Sequence, residues 1–457
     1  MDQRPERLER LERLELRRAL GPWQAASLVV GTIIGTGVFL KAAVMAQLGS
    51  PPWVLAAWGV AGALSLAGAL TFAELGAMFP EAGGEYVFLR ESYGRFVGFL
   101  YGWMRFWIGS PGSIAAYAVG AATFASSAFD VDVLAIGPVG GRTVIALGVI
   151  AIFTALNSVH VGASGRLQTA LTALKVAIIV ALAGGALLAP RGSWSHLAEG
   201  GGFPGGASFG AMVLAALWAF DGWSNLPMAA GEVRDPTRNV PRALVGGALA
   251  VLVIYALVNL GYFHALPLAE IQASASPAHP HAPAVAAKVA EQLVGGTTQI
   301  LIACAMLVSA LSAMNGSMLT GARVPFAVAR DGLAPAALAR LPAGARVPRT
   351  AILIQGTWAS VLALSGRFDD LTDAVVFALW LFYALNAGAV LLLRRRAPAR
   401  VRPFRVPGYP VTPIVFIVFA IVLLVSTVFA KPLISGFGVG VMAIGAVVYA
   451  VVLRRRA

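Results

Sequence analysis

Two short stretches of this chain carry residues able to bind a small charged molecule, yet both lie inside apolar runs. The first is Gly31-Thr32-Ile33-Ile34-Gly35-Thr36-Gly37. Three glycines in seven residues disfavour a continuous helix, each costing about 1 kcal/mol relative to Ala. The second is Trp218-Ala219-Phe220-Asp221-Gly222-Trp223, where a carboxylate and a glycine interrupt the run. A helix broken at such a point exposes two kinds of unpaired backbone group. The half after the break presents free N–H groups and the positive end of its dipole, which suit a carboxylate. The half before it presents free carbonyls, which accept from an ammonium group. Two facing breaks therefore suit a zwitterion, with its side chain left to a separate pocket.

The elements that must hold these stretches are membrane spans. Of 457 residues, 58% are hydrophobic and only 12% charged, too few charges to cover a soluble surface. Apolar runs of about 20 residues, each long enough for a bilayer core of roughly 30 Å, recur throughout. Twelve are read from the sequence: Pro22–Leu48, Trp53–Phe79, Phe96–Ala128, Thr143–Ser158, Leu167–Ala189, Ser208–Ala229, Ala243–His264, Gly295–Leu319, Thr350–Ser365, Leu371–Leu393, Val411–Ala430 and Leu433–Leu453. Unwound backbone at membrane depth survives only where it is buried in protein or lines a cavity. The interrupted runs are spans 1 and 6, five apart, which is the pattern of an inverted repeat. The competing reading of the first stretch, close packing through small residues, does not account for the second break.

The predicted fold class is therefore an all-α integral membrane protein with twelve transmembrane helices. Its domains are a charged amphipathic segment (1–20), a ten-helix core (21–393, repeats about 22–189 and 208–393), a basic loop (394–410), and spans 11 and 12 with the C-terminus (411–457). Segment 1–20 repeats Arg-Leu-Glu and lacks the apolar core of a signal peptide, so it is expected to remain.

The net charge of +13 follows topology. Arg90, Arg95, Arg166, Arg234, Arg238, Arg242, Arg323, Arg330, Arg340, Arg346, Arg349 and the cluster Arg394–Arg405 share one side with the arginines of both termini. Arg142, Arg191, Lys288, Arg367 and Lys431 occupy the other. The positive-inside rule then places both termini in the cytoplasm. No basic patch is interleaved with aromatics, so nucleic acid is not an expected partner. The one cysteine, Cys304, cannot form an intrachain disulfide. His279 and His281 flank Pro280 without a carboxylate or thiol cluster, so no metal site is expected. Without acid/base pairs or an activated nucleophile in the spans, an enzyme is not expected either.

Three cations remain inside spans, where each needs a reason. Lys41 is read as snorkelling from the outer end of span 1, and Arg105 as either snorkelling or ion-paired. Lys175 lies about 12 Å from the inner end of span 5 at 1.5 Å per residue, a strained distance for snorkelling. Glu74, near the inner end of span 2, either braces a cytoplasmic gate or sits at the interface. Asp221 is read as a cap for the second half of span 6, with coupling or ammonium contact as the alternative.

The chain resembles the amino acid–polyamine–organocation superfamily over nearly its whole length. The motifs are Val30–Phe39 in span 1, Phe72-Ala73-Glu74-Leu75-Gly76 with Pro80 and Gly83–Tyr86, and Phe220–Trp223 with Glu232–Pro241. They continue with Asn315-Gly316, Arg323 and Ala329–Gly332, then Arg402–Pro410. The resemblance is closest to the L-amino acid transporter branch, including its bacterial serine/threonine and alanine/serine/cysteine exchangers. It implies a five-plus-five inverted repeat with broken helices 1 and 6, alternating access and no cofactor.

Carried over residue by residue, it implies a carboxylate site at the backbone of Gly35, Thr36 and Gly37 with the Thr36 hydroxyl. It implies an ammonium site at the carbonyls of Ile33, Trp218, Ala219 and Asp221, within a segment that includes Phe220, and an aromatic gate at Trp218. It places the Lys175 ammonium between spans 1 and 8, near Ser309, Ser312 and Asn315. Thr36 stands where Ser is common, and Trp218 where relatives carry Phe. The expected substrates are small neutral L-amino acids, exchanged without sodium across a bacterial inner membrane; proton-coupled symport is the alternative. The loop Asp130–Arg142 has no cysteine, so no disulfide-linked heavy subunit is expected.

Overall fold

The computed structural model describes residues 16–453 apart from 130–131, 137–138, 280–281, 296–297, 343–345, 365–367 and 431. The N-terminal Arg-Leu-Glu segment up to residue 15, and His281, lie outside the described residues.

The described chain is helical. Span 1 is two helices, α1 (Pro22–Ile33) and α2 (Gly37–Ala46). Span 2 is α3 (Pro51–Met78), and the loop after it forms α4 (Glu85–Tyr93). Span 3 is α5 (Arg95–Met104) and α6 (Ser110–Ala128), joined through a π-helical turn at Arg105–Gly109. Spans 4 and 5 are α7 (Gly141–Val159) and α8 (Val161–Leu187). Span 6 is α9 (Gly206–Phe220), a turn, and α10 (Asn225–Met228). Span 7 is α11 (Pro236–Ala265), followed by α12 (Leu268–Gln272) and α13 (Val285–Val294). Span 8 is α14 (Thr298–Gly321), continued by α15 (Arg323–Arg330). Spans 9 to 12 are α16 (Arg349–Ala363), α17 (Phe368–Arg396), α18 (Val411–Ala430) and α19 (Pro432–Val448).

Seven of these stretches are long and apolar enough to cross a bilayer as they stand. The other spans are short, interrupted, or rich in Gly, Ala and Ser. Ile421, Val425, Phe437 and Ile444 on spans 11 and 12 are exposed, as expected of side chains whose solvent is lipid rather than water. Glycine and alanine let the core helices approach closely, as along spans 2 and 7 and along spans 3 and 8.

The two breaks meet. The Thr32 hydroxyl donates to the Gly222 carbonyl at 2.8 Å. Gly222 has φ +124°, and a Cβ there would lie 2.5 Å from the Thr32 carbonyl oxygen. Only glycine tolerates both the dihedral and the approach. On the side of the arginine-rich loops, Glu232 forms a bidentate pair with Arg323, Nε–Oε2 and Nη2–Oε1 both 2.8 Å, fully buried. Leu20 pairs alongside, its N–H on the Glu232 carbonyl at 2.9 Å. This ties the entry to span 1, the loop after span 6 and the end of span 8 into one block.

Candidate functional site

Between the breaks lies a cavity with about 40 Å³ open to the centre of a water-sized sphere. Span 1 contributes Ile33, Gly35, Thr36 and Gly37, and span 6 contributes Trp218, Ala219 and Asp221. Ser113, Ala116 and Tyr117 come from span 3, and Val375 from span 10. A water takes roughly 10–15 Å³ on this measure, so the space suits a molecule of few heavy atoms.

Span 1 unwinds at Ile34, whose N–H still reaches the Val30 carbonyl at 2.9 Å. The helix resumes at Gly37, and its first N–H groups have no helical carbonyl one turn back; the Phe39 N–H is already taken by the Thr36 carbonyl at 3.1 Å. The Gly35 N–H is not among the free donors, because it bonds the Ile33 carbonyl at 2.8 Å. On the acceptor side, the Tyr255 hydroxyl of span 7 shares its one proton between the carbonyls of Ala219 (3.0 Å) and Ile33 (3.3 Å). It fixes the two against each other and leaves the Ala219 carbonyl a second lone pair, whereas the Ile33 carbonyl already accepts from the Gly35 N–H as well.

Phe220 differs from its expected place. It does not line the cavity but packs edge-on to Trp58 (5.8 Å between centroids) and against Tyr255 (4.9 Å). One residue's rotation about the helix turns it away from the face that Ala219 presents. Trp218 does line the cavity, and the Lys41 ammonium stands 4.5 Å from its ring centroid. Lys41, half-buried, lies one turn after Gly37, on the face of α2 that meets α9. The attraction to the ring is a cation–π contact.

Asp221 does not cap the second half of span 6; it is the residue that ends the first half, α9. The chain after the break makes a turn before α10 begins, and the position ahead of that helix belongs to Ser224, with no side-chain cap. The Asp221 carboxylate instead accepts from the Tyr383 hydroxyl at 3.0 Å, which lies 2.7 Å from the Ser224 hydroxyl. Arg105 neither snorkels nor forms an ion pair among the described residues. It is buried on the π turn and donates to Asn225 Oδ1 at 2.5 Å. Nearby, at the start of α4, Glu85 is buried and accepts from the Tyr101 hydroxyl, while its Oε1 has no partner. Burial pushes this carboxyl up to about 8, against the lowering influence of Arg105 and with a further raising influence of Asp221.

Lys175 donates to the carbonyls of Gly31 (2.7 Å) and Ile34 (2.5 Å). The Ser309 hydroxyl is within bonding distance of the Ile34 and Gly35 carbonyls, at 3.0 and 2.9 Å. Lysine and serine thus gather the unwound carbonyls of span 1 from opposite sides. Ser312 and Asn315 do not join them. Ser312 lies 3.3 Å from both Gln168 and Thr172, and Asn315 bonds Gln168 (2.8 Å) and Asn157 (3.0 Å). They sit one and nearly two helical turns further along α14, so they bind spans 4 and 5 rather than the break. Glu74 accepts from Arg394 (3.0 and 2.6 Å) and from the Val406 N–H (2.7 Å), joining span 2, span 10 and the basic loop.

Sequence reasoning missed Ser113, Ala116, Tyr117, Val375, Tyr255 and Tyr383. Ser113 and Tyr117 are four apart and so share one face of span 3; a polar residue pair at that spacing inside a span was the available signal.

The amino acid permease family pattern matches residues 20–453. This chain is a member of the amino acid permease family. Among its relatives, the serine/threonine exchanger SteT of Bacillus subtilis is 33% identical over 97% of this chain and 98% of its own. The human b(0,+)-type amino acid transporter 1 is 29% identical over 91% and 84%. The mouse Asc-type amino acid transporter 1 is 29% identical over 95% and 81%. The permease is a multi-pass membrane protein that transports amino acids; it is a transporter and not an enzyme.

Proposed function

We propose that this permease exchanges small neutral L-amino acids without sodium, by alternating access across a bacterial inner membrane with both termini cytoplasmic. The observation that carries the reading is Lys175, whose ammonium rests on the Gly31 and Ile34 carbonyls beside Ser309. A tethered cation there satisfies the oxygens that a sodium ion would otherwise need to balance. Small substrates are supported by the cavity of about 40 Å³ under Trp218, and exchange by the activity in the name of the Bacillus subtilis relative. In this reading the substrate carboxylate meets the free N–H groups of Thr36 and Gly37. Its ammonium takes the remaining lone pair of the Ala219 carbonyl, and Trp218 closes over it.

Proton-coupled symport is the second reading. It is favoured by one feature: Lys175 has carbonyl partners and no carboxylate partner among the described residues. Counterflow in liposomes separates the two. Exchange predicts uptake of labelled serine or alanine only into vesicles preloaded with unlabelled amino acid, unaffected by sodium. Uptake into empty vesicles driven by a pH gradient indicates the symporter, and uptake driven by sodium overturns both.

A further inference from the structure

On the inner half of the membrane domain, away from the substrate cavity, span 3, α15, the 332–338 segment, span 9 and span 12 enclose an apolar groove of about 780 Å³. Its walls include Phe99, Trp103, Phe106 and Trp107 of span 3, with Leu333 and Ile354 opposite. Beside it, Trp107 meets Trp358 of span 9 edge-on, with 5.6 Å between centroids. A second recess of about 700 Å³ adjoins the groove, and Ala336 lines both. This recess contains the guanidinium-bearing side chains of Arg340 and Arg349. Both are exposed, and neither has a hydrogen-bond, ion-pair or aromatic partner among the described residues. The sequence between Asp331 and Asp369 contains no acidic residue.

We propose that this composite groove is a binding site for one anionic phospholipid, its phosphate on Arg340 and Arg349 and an acyl chain along Trp103 and Trp107. The geometry suits an amphiphile. Arg349 and Trp358 are nine residues apart on α16, roughly 13 Å at 1.5 Å per residue, so the charged and aromatic ends are separated by nearly the depth of one leaflet of a core of roughly 30 Å. The charge sits where the span meets the inner loops, at headgroup level, and the apolar trough runs from there towards the bilayer centre. Basic pockets between helices on the inner side of a membrane recognise anionic headgroups in this way. A bare anion would gain nothing from the trough, and a neutral lipid nothing from the arginines. None of these residues touches the substrate cavity, so the site is a lipid requirement of the scaffold, independent of the proposed exchange reaction.

Tryptophan fluorescence of the purified full-length permease tests this, using phosphatidylglycerol or phosphatidylcholine with brominated acyl chains as quenchers. The Trp103→Phe/Trp107→Phe variant defines the quenching that arises elsewhere. Brominated phosphatidylglycerol is expected to quench the groove signal with roughly thirtyfold higher affinity than the choline lipid, the size expected for two arginines at a headgroup. Arg340→Gln/Arg349→Gln should bring the two lipids within about twofold of each other. Arg340→Lys/Arg349→Lys should retain most of the preference, which separates loss of charge from misfolding. Equal quenching by both lipids in the parent protein, or an undiminished preference in the Gln variant, overturns the proposal. So does displacement of the brominated lipid by inorganic phosphate alone, which would assign the arginines to a free anion. Absence of groove quenching by either lipid would show that no phospholipid occupies the groove, and overturns it equally.

Discussion

Placing a methyl group at Gly37 tests whether the two breaks form the binding site. A Cβ there would stand 2.5 Å from Ala219 Cβ, 2.9 Å from Ala219 Cα and 3.2 Å from Trp218 Cζ3. Carbon atoms rest at about 3.5–4.0 Å, so Gly37→Ala must push α2 and α9 apart by roughly 1 Å. The nearest atoms are a methyl carbon and backbone of α9, which cannot swing aside as the end of a long side chain could. An overpacked methyl costs about 1–3 kcal/mol. If that falls on the substrate-bound state, affinity drops by roughly 5- to 150-fold. Gly37→Val adds two more methyl groups and should abolish binding. The assay is equilibrium binding of labelled serine or alanine to the purified protein, with a monodisperse chromatographic peak as the check on folding. Gly59→Ala is the control, because a Cβ at Gly59 meets nothing within 4 Å. Binding by Gly37→Ala within twofold of the parent would refute the assignment of the N–H site to this turn.

Lys175→Ala should fold and yet lose at least about tenfold in exchange, since two charge-assisted hydrogen bonds to the break are removed; sodium alone should not rescue it. Counterflow at the parent rate would leave Lys175 with no role in transport. Trp218→Ala should slow exchange of small substrates while admitting larger side chains, measured by competition with a series of amino acids; unchanged rate and selectivity would make Trp218 a packing residue. Because the Glu85 carboxyl is raised to about 8 by burial, the folded state holds this proton more tightly than the unfolded chain. Its contribution to stability is full below the ordinary carboxyl value near 4.5 and is lost as pH rises through about 8. Glu85→Gln should therefore raise the thermal midpoint at pH 9 relative to the parent and flatten the decline from pH 5 to 9; an unchanged pH profile would remove Glu85 from the account.

The sequence determined the class of molecule and the location of its breaks. Apolar length, glycine spacing and a buried Asp-Gly are local quantities, and a bilayer makes them decisive because unpaired backbone in lipid is so costly. They placed the unwound turns of spans 1 and 6 within a residue or two, and motif order alone matched the permease family. Partners across the bundle were decided only by the tertiary structure. Phe220 lies next to Ala219 in sequence yet faces Trp58, because adjacent residues on a helix are rotated about 100° apart. Asp221 read as a cap because its distance to the next helix could not be known until the turn through Gly222, with φ +124°, separated them. Lys41, Arg105 and Lys175 are alike in sequence, each a lone cation in a span. Packing gives them an indole ring, an asparagine amide and the unwound carbonyls of span 1 respectively. What a long side chain reaches depends on which helices stand beside it, and those contacts join residues tens to hundreds of positions apart.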